Sequence, residues 1–296
     1  MADREERGDT VAVIGVGRVG TAMAHLLSAR GYDVVAVADL SPDAREHAAR
    51  LAGARPFASD AEASVEAQVI IITTPDGAIA EVCRSIAAAA PLACKKVIHM
   101  SGALSLGALE PARAAGADVM AIHPMATFAD LAGAERSLPG STFGVTCEPA
   151  LAGWARGLVA SLDGRMILVA DEDKVLYHAT AAVACNLLAM VEYGAFAISR
   201  RLGFTDEECA AAFTPLAAAT VENVSRLGPA AALTGPLARG DEETLRAHIE
   251  ALEALDPELA RAYRAVSEWG LKLVVEQGAL SSEKIESMRR LLAGEE

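Results

Sequence analysis

The sequence predicts an α/β domain with a doubly wound, mostly parallel sheet, followed by an all-α C-terminal domain. Short apolar runs alternate with helical segments up to about residue 170, as in repeated strand–helix units with right-handed crossovers. Beyond that point no clear strand pattern remains, and long alanine-rich helical segments follow. We therefore expect two domains, an α/β domain over 1–170 and a helical domain over 171–296.

Composition limits the classes of partner. The chain has 296 residues and is 52% hydrophobic but only 4% aromatic, so its core must be built mainly from Ala, Val, Leu and Ile. Lys and Arg total 26 against 40 Asp and Glu, and the net charge of −14 argues against nucleic acid or an anionic membrane as partner. The five cysteines form no Cys-x-x-Cys pair, which is typical of reduced thiols, and we expect no metal site.

The N-terminal residues and the apolar runs bear on localisation. The first nine residues are charged and lack the apolar centre of a signal peptide. No apolar run reaches the length of a membrane span. We therefore expect a cytoplasmic protein with no membrane partner.

A glycine-rich turn between the first strand and the first helix is the strongest local signal. Four consecutive apolar residues, Val11–Ile14, are typical of a strand buried on both faces. They lead into Gly-x-Gly-x-x-Gly and then into a segment of helical period. In this motif the glycines permit a tight turn, close approach of a pyrophosphate and close helix–strand packing, while the helix N-terminus attracts phosphate. The alternative is a glycine turn in some other α/β protein. The predicted cofactor contacts here are Gly15, Gly17, Arg18, Val19 and Gly20.

The end of the second strand bears on the choice of nicotinamide cofactor. Asp39 follows that strand, nineteen residues after Gly20. A carboxylate at this place accepts a hydrogen bond from a free ribose 2′-hydroxyl and repels a 2′-phosphate. We therefore expect NAD rather than NADP, although Arg18 and Arg45 are close enough in sequence to leave NADP open.

Polar residues follow three further predicted strands, at the edge where open α/β sheets bind ligands. We expect Thr74 and Pro75 to line the cofactor cleft, and Ser101 to reach the nicotinamide or the substrate; the alternative for Ser101 is an ordinary strand-to-loop cap. His123, directly after a strand over 117–122, is a candidate proton or hydrogen-bond donor to a substrate oxygen. The alternative is a histidine fixed against backbone carbonyls.

The pattern over 171–201 predicts one long helix whose first turns carry a cation. At about 100° per residue, Lys174 and His178 share a face that is otherwise lined by small residues, which leaves room for a ligand. The alternative is that Lys174 is a solvated lysine that forms exposed ion pairs with the acidic residues of the first turn. Asn186 lies about 120° round from Lys174 on an ideal helix and joins this site only if the helix is irregular or the ligand is long.

The same helix is apolar on several faces. A helix that is apolar all round needs cover on more than one side, and a second subunit can supply it. The alternative is that the other helices of the chain wrap it completely. We expect a homodimer built through the helical domain.

These features together resemble the β-hydroxyacid dehydrogenase and ketopantoate reductase superfamily. The resemblance implies that Lys174 donates to the substrate oxygen, and that a substrate-binding residue lies four positions on, where this chain has His178 in place of the usual asparagine. Ketopantoate reductases more often place an arginine just after the second strand, where this chain has Leu40.

Five short motifs are spread over the chain: His99-Met-Ser-Gly102, His123-Pro-Met-Ala-Thr-Phe128, Lys174-x-x-Tyr-His178, Ala232-Leu-Thr-Gly-Pro236 and Arg239-Gly-Asp241. With them, nearly the whole chain resembles, more specifically, a bacterial family of Rossmann-like oxidoreductases with a C-terminal domain of unknown function. By family position Asn223 and Arg239 are candidates for substrate or interdomain contacts; the alternative for Arg239 is a structural role in a glycine loop before a helix cap.

We therefore expect an oxidoreductase that passes hydride between a nicotinamide and a small carbonyl or hydroxy acid. The domain over 1–170 would bind the dinucleotide, and the domain over 171–296 would bind substrate and form the dimer. Lys174, together with His123, stabilises and protonates the developing alkoxide. Some members of the family are thought to be ketopantoate reductases, so the resemblance favours ketopantoate; the Ser-Gly and His-Pro-Met placements resemble prephenate dehydrogenases, which makes a hydroxyacid dehydrogenase of that kind the alternative. The non-enzyme alternative is a nucleotide-sensing protein on the same fold.

Overall fold

A computed structural model describes residues 9–89, 91–128 and 130–295 of the chain. The described chain forms two compact units, one ending at Ala184 and one beginning at Cys185. The first contains an eight-stranded sheet of order β3-β2-β1-β4-β5-β6-β7-β8, in which every neighbouring pair is parallel except β6 and β7. The predicted mostly parallel, doubly wound sheet is confirmed. The strands are β1 Thr10–Ile14, β2 Asp33–Ala38, β3 Arg55–Phe57, β4 Val69–Ile72, β5 Lys96–His99, β6 Asp118–Pro124, β7 Thr142–Thr146 and β8 Arg165–Leu168.

Helices cover both faces of this sheet. The α-helices of the first unit are α1 Arg18–Ala29, α2 Pro42–Ala52, α3 Asp60–Val65, α4 Asp76–Ala89, α5 Glu110–Ala114, α6 Leu131–Ser137, α7 Ala152–Ser161 and α8 Lys174–Ala181. Alternate residues of β1 enter opposite cores: Val11 and Val13 pack with α1, α2 and α7, whereas Ala12 and Ile14 pack with α4 and α5. Burial on both faces explains why this strand is a continuous apolar run.

The antiparallel pairing of β6 with β7 determines where the chain reaches the carboxyl edge of the central strands. β7 pairs only with residues 121–124, the C-terminal part of β6. Thr146 therefore lies opposite Ala121, which in turn pairs with His99. β8 is parallel to β7 and ends at Leu168, opposite Val145. The chain therefore leaves β8 close to the level at which β5 ends. This register brings the start of α8 to the carboxyl edge of the central strands.

The predicted long helix is irregular. A 3₁₀ turn over Asp171–Asp173 precedes α8, and a π segment over Ala182–Leu187 separates α8 from α9, Leu188–Arg201. The boundary between the two compact units lies inside the π segment, after Ala184 rather than after residue 170. It lies there because α8 buries its lysine in the sheet unit. The change from strands to helices does occur near residue 170, as the sequence indicates.

The helix over Asp171–Arg201 is also long and apolar enough to cross a membrane, with a mean hydropathy of 1.7 over its most apolar window and only 6% of that window buried. The expectation that no segment reaches this length was therefore wrong. Single polar residues such as Asn186 and Glu192 interrupt the apolar run without lowering its average hydropathy enough.

The second unit is helical throughout its described residues. After α9, the helices are α10 Asp206–Leu227, α11 Pro229–Ala232, α12 Pro236–Arg239, α13 Glu242–Leu255, α14 Pro257–Gln277 and α15 Ser282–Ala293. Thr205 caps α10 in a reciprocal capping box with Glu208. Helices α12 to α15 build the core of this unit together, with Leu237, Leu245, Leu271 and Met288 among its residues.

Candidate cofactor and substrate site

The glycine-rich turn has the geometry that its motif requires. Gly15 has φ +88°, and a Cβ there would lie 2.6 Å from the Thr74 side chain. A Cβ on Gly20 would collide with the Gly15 carbonyl oxygen. A Cβ on Gly17 would meet nothing within 4 Å, so the space beside this residue is open. The turn is thus tight at its two ends and free at the middle glycine, where a pyrophosphate would approach.

Helix α1 begins directly behind this turn. It starts at Arg18 and Val19, and Gly17 caps it without a side-chain hydrogen bond. A helix start of this kind presents backbone N–H groups and a partial positive charge to an anion. The turn and the helix start together fit the diphosphate of a dinucleotide.

Two threonines at the end of β4 line the turn. Thr73 was not singled out from the sequence, but its hydroxyl donates to the Gly15 carbonyl oxygen at 2.6 Å and holds the turn against β4. Thr74 Oγ1 is buried without a hydrogen-bond partner among the described residues. An unpaired buried hydroxyl beside an open glycine is what a polar ligand in the cleft would satisfy. Pro75 follows at the exposed rim.

Asp39 lies at the end of β2, as predicted. Its Oδ1 accepts the Ser41 N–H at 2.8 Å, and Arg45 donates to its backbone oxygen at 2.9 Å. Because Ala38 pairs with Phe57 in β3, Asp60 at the start of α3 leaves the sheet at the same edge. Burial, followed by the charge of Asp39, raises the pKa of Asp60. Two carboxyl groups therefore lie at the place where the adenosine ribose would bind.

Ser101 is part of a closed hydrogen-bond network. Its hydroxyl donates to Asp76 Oδ2 at 2.8 Å and accepts the N–H groups of Ala103 and Leu104 at 3.2 and 3.0 Å. This is the strand-to-loop cap that was the alternative for this serine. Asp76, the first residue of α4, was missed as a site residue because only the fold places it beside Ser101.

Lys174 is buried, with 1% of its surface exposed. Its Nζ donates to the Ser101 carbonyl oxygen at 3.1 Å. Burial lowers the pKa of Lys174, and the charges of Asp171 and Asp76 act in the opposite direction. The alternative of a solvated first-turn lysine is therefore wrong. Asp171 also anchors the helix start, because its Oδ1 accepts the Leu106 N–H at 2.7 Å.

His123 and His178 meet over Gly102. A Cβ on Gly102 would lie 2.5 Å from His178 Nδ1 and 2.9 Å from His123 Nε2, so the glycine makes room for both rings. The ring centroids are 5.5 Å apart at 80°. The predicted strand end at residue 122 is corrected, because β6 runs on to Pro124 and carries His123 within it. Burial, with the charges of His178 and Lys174, lowers the pKa of His123 to about 4, so this imidazole is neutral at neutral pH.

Two aromatic neighbours of this cluster were not predicted as site residues. The Tyr177 hydroxyl lies 3.1 Å from His123 Nδ1. His99 is fully buried, and its Nδ1 accepts the Ser101 N–H at 3.2 Å. Burial, followed by the charge of Lys174, lowers the pKa of His99 to about 4. Tyr177 lies three positions after Lys174 within the Lys174-x-x-Tyr-His178 motif, which is the signal for it in the sequence.

Three predicted substrate residues belong to the helical unit. Asn186 lies in the π segment, which is the helix irregularity that its participation requires. Asn223 accepts a hydrogen bond from Arg226 at 3.0 Å. Arg239 lies 3.8 Å from Asp241, which caps α13. These contacts support the structural reading of the Arg-Gly-Asp loop, and the substrate roles of all three residues stay predictions. Among the described residues no group of three potential metal ligands occurs.

Two protein families match the chain, one over its N-terminal part and one over its C-terminal part. A family described as a Rossmann-like domain matches residues 3–124, and a domain of unknown function, DUF2520, matches residues 141–269. This order confirms the resemblance to a Rossmann-like protein with a C-terminal domain of unknown function. No curated protein matches the chain.

Several solved structures of the same fold bear the names of oxidoreductases. A protein from Bacteroides fragilis, provisionally described as an NADP oxidoreductase, is 22% identical with a TM-score of 0.74, over 88% of this chain and 97% of its own. A reductive aminase from Aspergillus terreus in complex with NADPH is 18% identical with a TM-score of 0.65, over 97% and 93%. A pyrroline-5-carboxylate reductase from Coxiella burnetii is 14% identical with a TM-score of 0.58, over 96% and 98%. At these identities the likeness establishes the fold.

Proposed function

We propose that the protein is a nicotinamide-dependent reductase of a small carbonyl compound, with a 2-keto acid as the favoured substrate. The observation that carries the proposal is the convergence of the Lys174 amine, His123 Nε2 and His178 Nδ1 on the Ser101–Gly102 turn. Contacts link this turn to the glycine motif: Ser101 binds Asp76 at the start of α4, and Thr73 at the end of β4 binds Gly15. The described solved structures, which bear the names of oxidoreductases, agree with this proposal.

The bound cofactor would supply the hydride. The residues of the chain have to supply the proton and stabilise the charge that develops on the substrate oxygen. Lys174 is the proton donor in this proposal, because desolvation lowers its pKa and so makes it a stronger acid. His123 is neutral at neutral pH and acts as a hydrogen-bond donor to the same oxygen, as a neutral imidazole can.

Lys174 favours a C=O over a C=N substrate. Reduction of a carbonyl develops negative charge on oxygen, which a buried ammonium stabilises. Reduction of an iminium starts from a cation, which the same ammonium would repel at short range. The reductive aminase and the pyrroline-5-carboxylate reductase of similar fold are named for C=N chemistry, so this residue is the point at which we expect the present protein to differ.

We propose NAD as the cofactor, on the evidence of two carboxyl groups. Asp39 and Asp60 leave adjacent strands at the ribose end of the cleft, and Leu40, at the position where an arginine would bind a 2′-phosphate, is 92% exposed. A 2′-phosphate would meet negative charge there, and the cation beside it, Arg45, already donates to the Asp39 backbone oxygen. The name of the Bacteroides fragilis protein and the ligand of the Aspergillus terreus enzyme favour NADP instead. We follow the residues of this chain.

Ketopantoate is the favoured 2-keto acid through the family resemblance, and a prephenate dehydrogenase-like hydroxyacid oxidation is the second candidate. A cytoplasmic homodimer that covers the exposed apolar helix α9 completes the proposal. Met190 and Val191 on that helix are 64% and 55% exposed in the single chain. An apolar surface of this kind is more stable against a second copy than in water.

The test is oxidation of NADH and of NADPH with a panel of 2-keto acids, and separately with cyclic imines and with carbonyl–amine mixtures. We expect turnover with keto acids in the absence of amine. Turnover confined to imines would contradict the carbonyl assignment. Tight nucleotide binding without turnover of any compound would instead favour the nucleotide-sensing alternative.

A further inference from the structure

Tyr177 makes a contact with His123 that the proposed chemistry does not yet use. Its hydroxyl oxygen is 3.1 Å from His123 Nδ1 and 3.4 Å from the His123 carbonyl oxygen. The two rings meet edge to face, with centroids 5.6 Å apart and an angle of 89°. One phenol thus contacts both the side chain and the backbone of the same histidine.

Gly144 makes this arrangement possible. It pairs with His123 across the antiparallel β6–β7 ladder, and the Tyr177 ring lies over it. A Cβ on Gly144 would overlap the phenol carbon and oxygen. The only antiparallel pair among the described strands therefore provides, opposite the candidate donor, a gap that a tyrosine from α8 fills.

The distances around the phenol bear on the protonation of His123. Burial raises the pKa of Tyr177, so the phenol keeps its single proton at neutral pH, while a backbone hydrogen bond from Gly144 acts in the opposite direction. Two atoms of His123 lie within reach of that proton, and Nδ1 at 3.1 Å is nearer to the phenol oxygen than the carbonyl oxygen at 3.4 Å, which favours Nδ1 as the acceptor. A neutral imidazole that accepts at Nδ1 carries its proton on Nε2.

We propose that Tyr177 is a positioning residue that fixes His123 as its Nε2–H tautomer and directs this N–H toward Gly102. His123 Nε2 is the atom that lies next to Gly102, where Lys174 also binds the turn through Ser101. The opposite tautomer would present a bare nitrogen acceptor, which repels a carbonyl oxygen. The inference rests on the proposed carbonyl reduction for its kinetic consequence, but the tautomer itself is independent of any activity.

The first measurement is the ¹⁵N shift pattern of the His123 imidazole at about pH 7, where the ring is neutral because its pKa is about 4. A His123→Gln variant assigns the signal among the six histidines. We expect the Nε2–H pattern in the wild type. We expect Tyr177→Phe, which keeps the ring over Gly144, to populate the Nδ1–H tautomer.

Tyr32→Phe is the matched control. Tyr32 is a half-buried tyrosine of the same unit, and its hydroxyl has no hydrogen-bond partner among the residues that the structure describes. We expect this variant to keep the wild-type tautomer. Equal melting temperatures of the two variants would show that the Tyr177→Phe effect does not come from partial unfolding.

The second measurement is carbonyl reduction at saturating cofactor. Partners that fix the tautomer of a functional histidine contribute about tenfold or more to activity, so we expect Tyr177→Phe to lower kcat by about tenfold with little change in the KM for the cofactor. An Nδ1–H wild type, or a Tyr177→Phe variant with the wild-type tautomer or the wild-type kcat, would overturn the proposal. If the wild type reduces no carbonyl compound, the proposed function fails, and the tautomer measurement still decides the role of Tyr177.

Discussion

His123 Nε2 and His178 Nδ1 lie on either side of Gly102, at 2.9 and 2.5 Å from the position that a Cβ of this residue would occupy. Neither ring could keep its place if residue 102 had a side chain. Gly102 therefore determines the distance between two imidazoles that come from a strand and from a helix remote in sequence.

Gly102→Ala should lower activity strongly without unfolding the protein. The added methyl group overlaps both imidazoles, so one ring must move, and a displacement of about 1 Å in a reacting group costs on the order of a hundredfold in rate. Gly77→Ala is the control, because a Cβ on Gly77 meets nothing within 4 Å. Steady-state kinetics of both variants measure the effect, and equal rates would show that the rings do not act together on the substrate.

Lys174→Ala and Lys174→Met should lower kcat by about a hundredfold or more, while cofactor affinity stays nearly unchanged. The amine stabilises charge that exists only in the transition state, whereas the cofactor is held by the Gly15–Gly20 turn and Asp39. His123→Ala should have a smaller effect. Near-normal turnover in either lysine variant would leave His123 as the only donor that the cluster offers.

Lys174→Met should also leave the protein at least as stable as the wild type at neutral pH. Burial lowers the pKa of Lys174, so folding at neutral pH keeps a cation in a poorly solvated place. A methionine of similar volume removes that desolvation penalty. The melting temperatures of the variant and the wild type in thermal unfolding test this expectation. A large drop in melting temperature would mean that the bond from Lys174 to Ser101 is mainly structural.

Acid should destabilise the fold between about pH 6.5 and pH 4. His99 and His123 both have folded pKa values of about 4, against 6.5 for an unperturbed histidine. The unfolded chain binds more protons than the folded chain in that window, so stability is complete above 6.5 and is lost as the pH falls. Urea titrations at about pH 7 and about pH 5 give the loss in the free energy of unfolding between these two pH values. We expect this loss to be about 1–2 kcal/mol smaller in His123→Gln than in the wild type. An equal difference in both proteins would contradict the depressed pKa of His123.

NADH should bind more tightly than NADPH, and Asp39→Asn and Asp60→Asn should each reduce the difference. Both changes remove negative charge at the ribose end of the cleft. Asp33→Asn is the control, because Asp33 lies at the opposite end of β2. Fluorescence titration measures the affinities without turnover. Comparable or better affinity of the wild type for NADPH would contradict the prediction.

Light scattering at micromolar concentration should give the mass of a dimer, and Val191→Glu should shift it to that of a monomer. The substitution places a charge on the exposed apolar surface of α9, where Val191 is 55% exposed. Val65→Glu is the control in the sheet unit, since Val65 is 53% exposed. A monomeric wild type would mean that α9 is covered in some other way.

The sequence predicts those parts of the fold that local pattern determines. Four apolar residues before three spaced glycines are enough to identify β1, its turn and α1, because the chemistry of that turn lies within ten residues. Lys174 was identified from a helix face, but its bond to the Ser101 carbonyl oxygen was not, because that depends on where β8 ends.

The missed residues depend on contacts between distant parts of the chain. Asp76 meets Ser101 only because β4 and β5 are neighbours in register. Tyr177 reaches His123 only because β7 runs antiparallel and carries a glycine opposite that histidine. No periodicity within one segment encodes either relationship. The role of Ser101 as a cap was weighed in advance, since a serine after a strand commonly caps the following loop.

The antiparallel pairing of β6 and β7 has a consequence for how such a protein can diversify. Because Phe143 pairs with Pro124, residues 125–141 join the two strands on the same side of the sheet as Gly102 and Lys174. In an all-parallel sheet this connection would have to cross to the far edge. Ala134 of this connection is buried, and Leu138 is buried in the core that also contains Met23 of α1, so only its exposed residues can change without disturbing the helix behind the nucleotide turn. Homologues that differ mainly in those exposed residues should therefore keep the strand order, the nucleotide turn and the buried lysine.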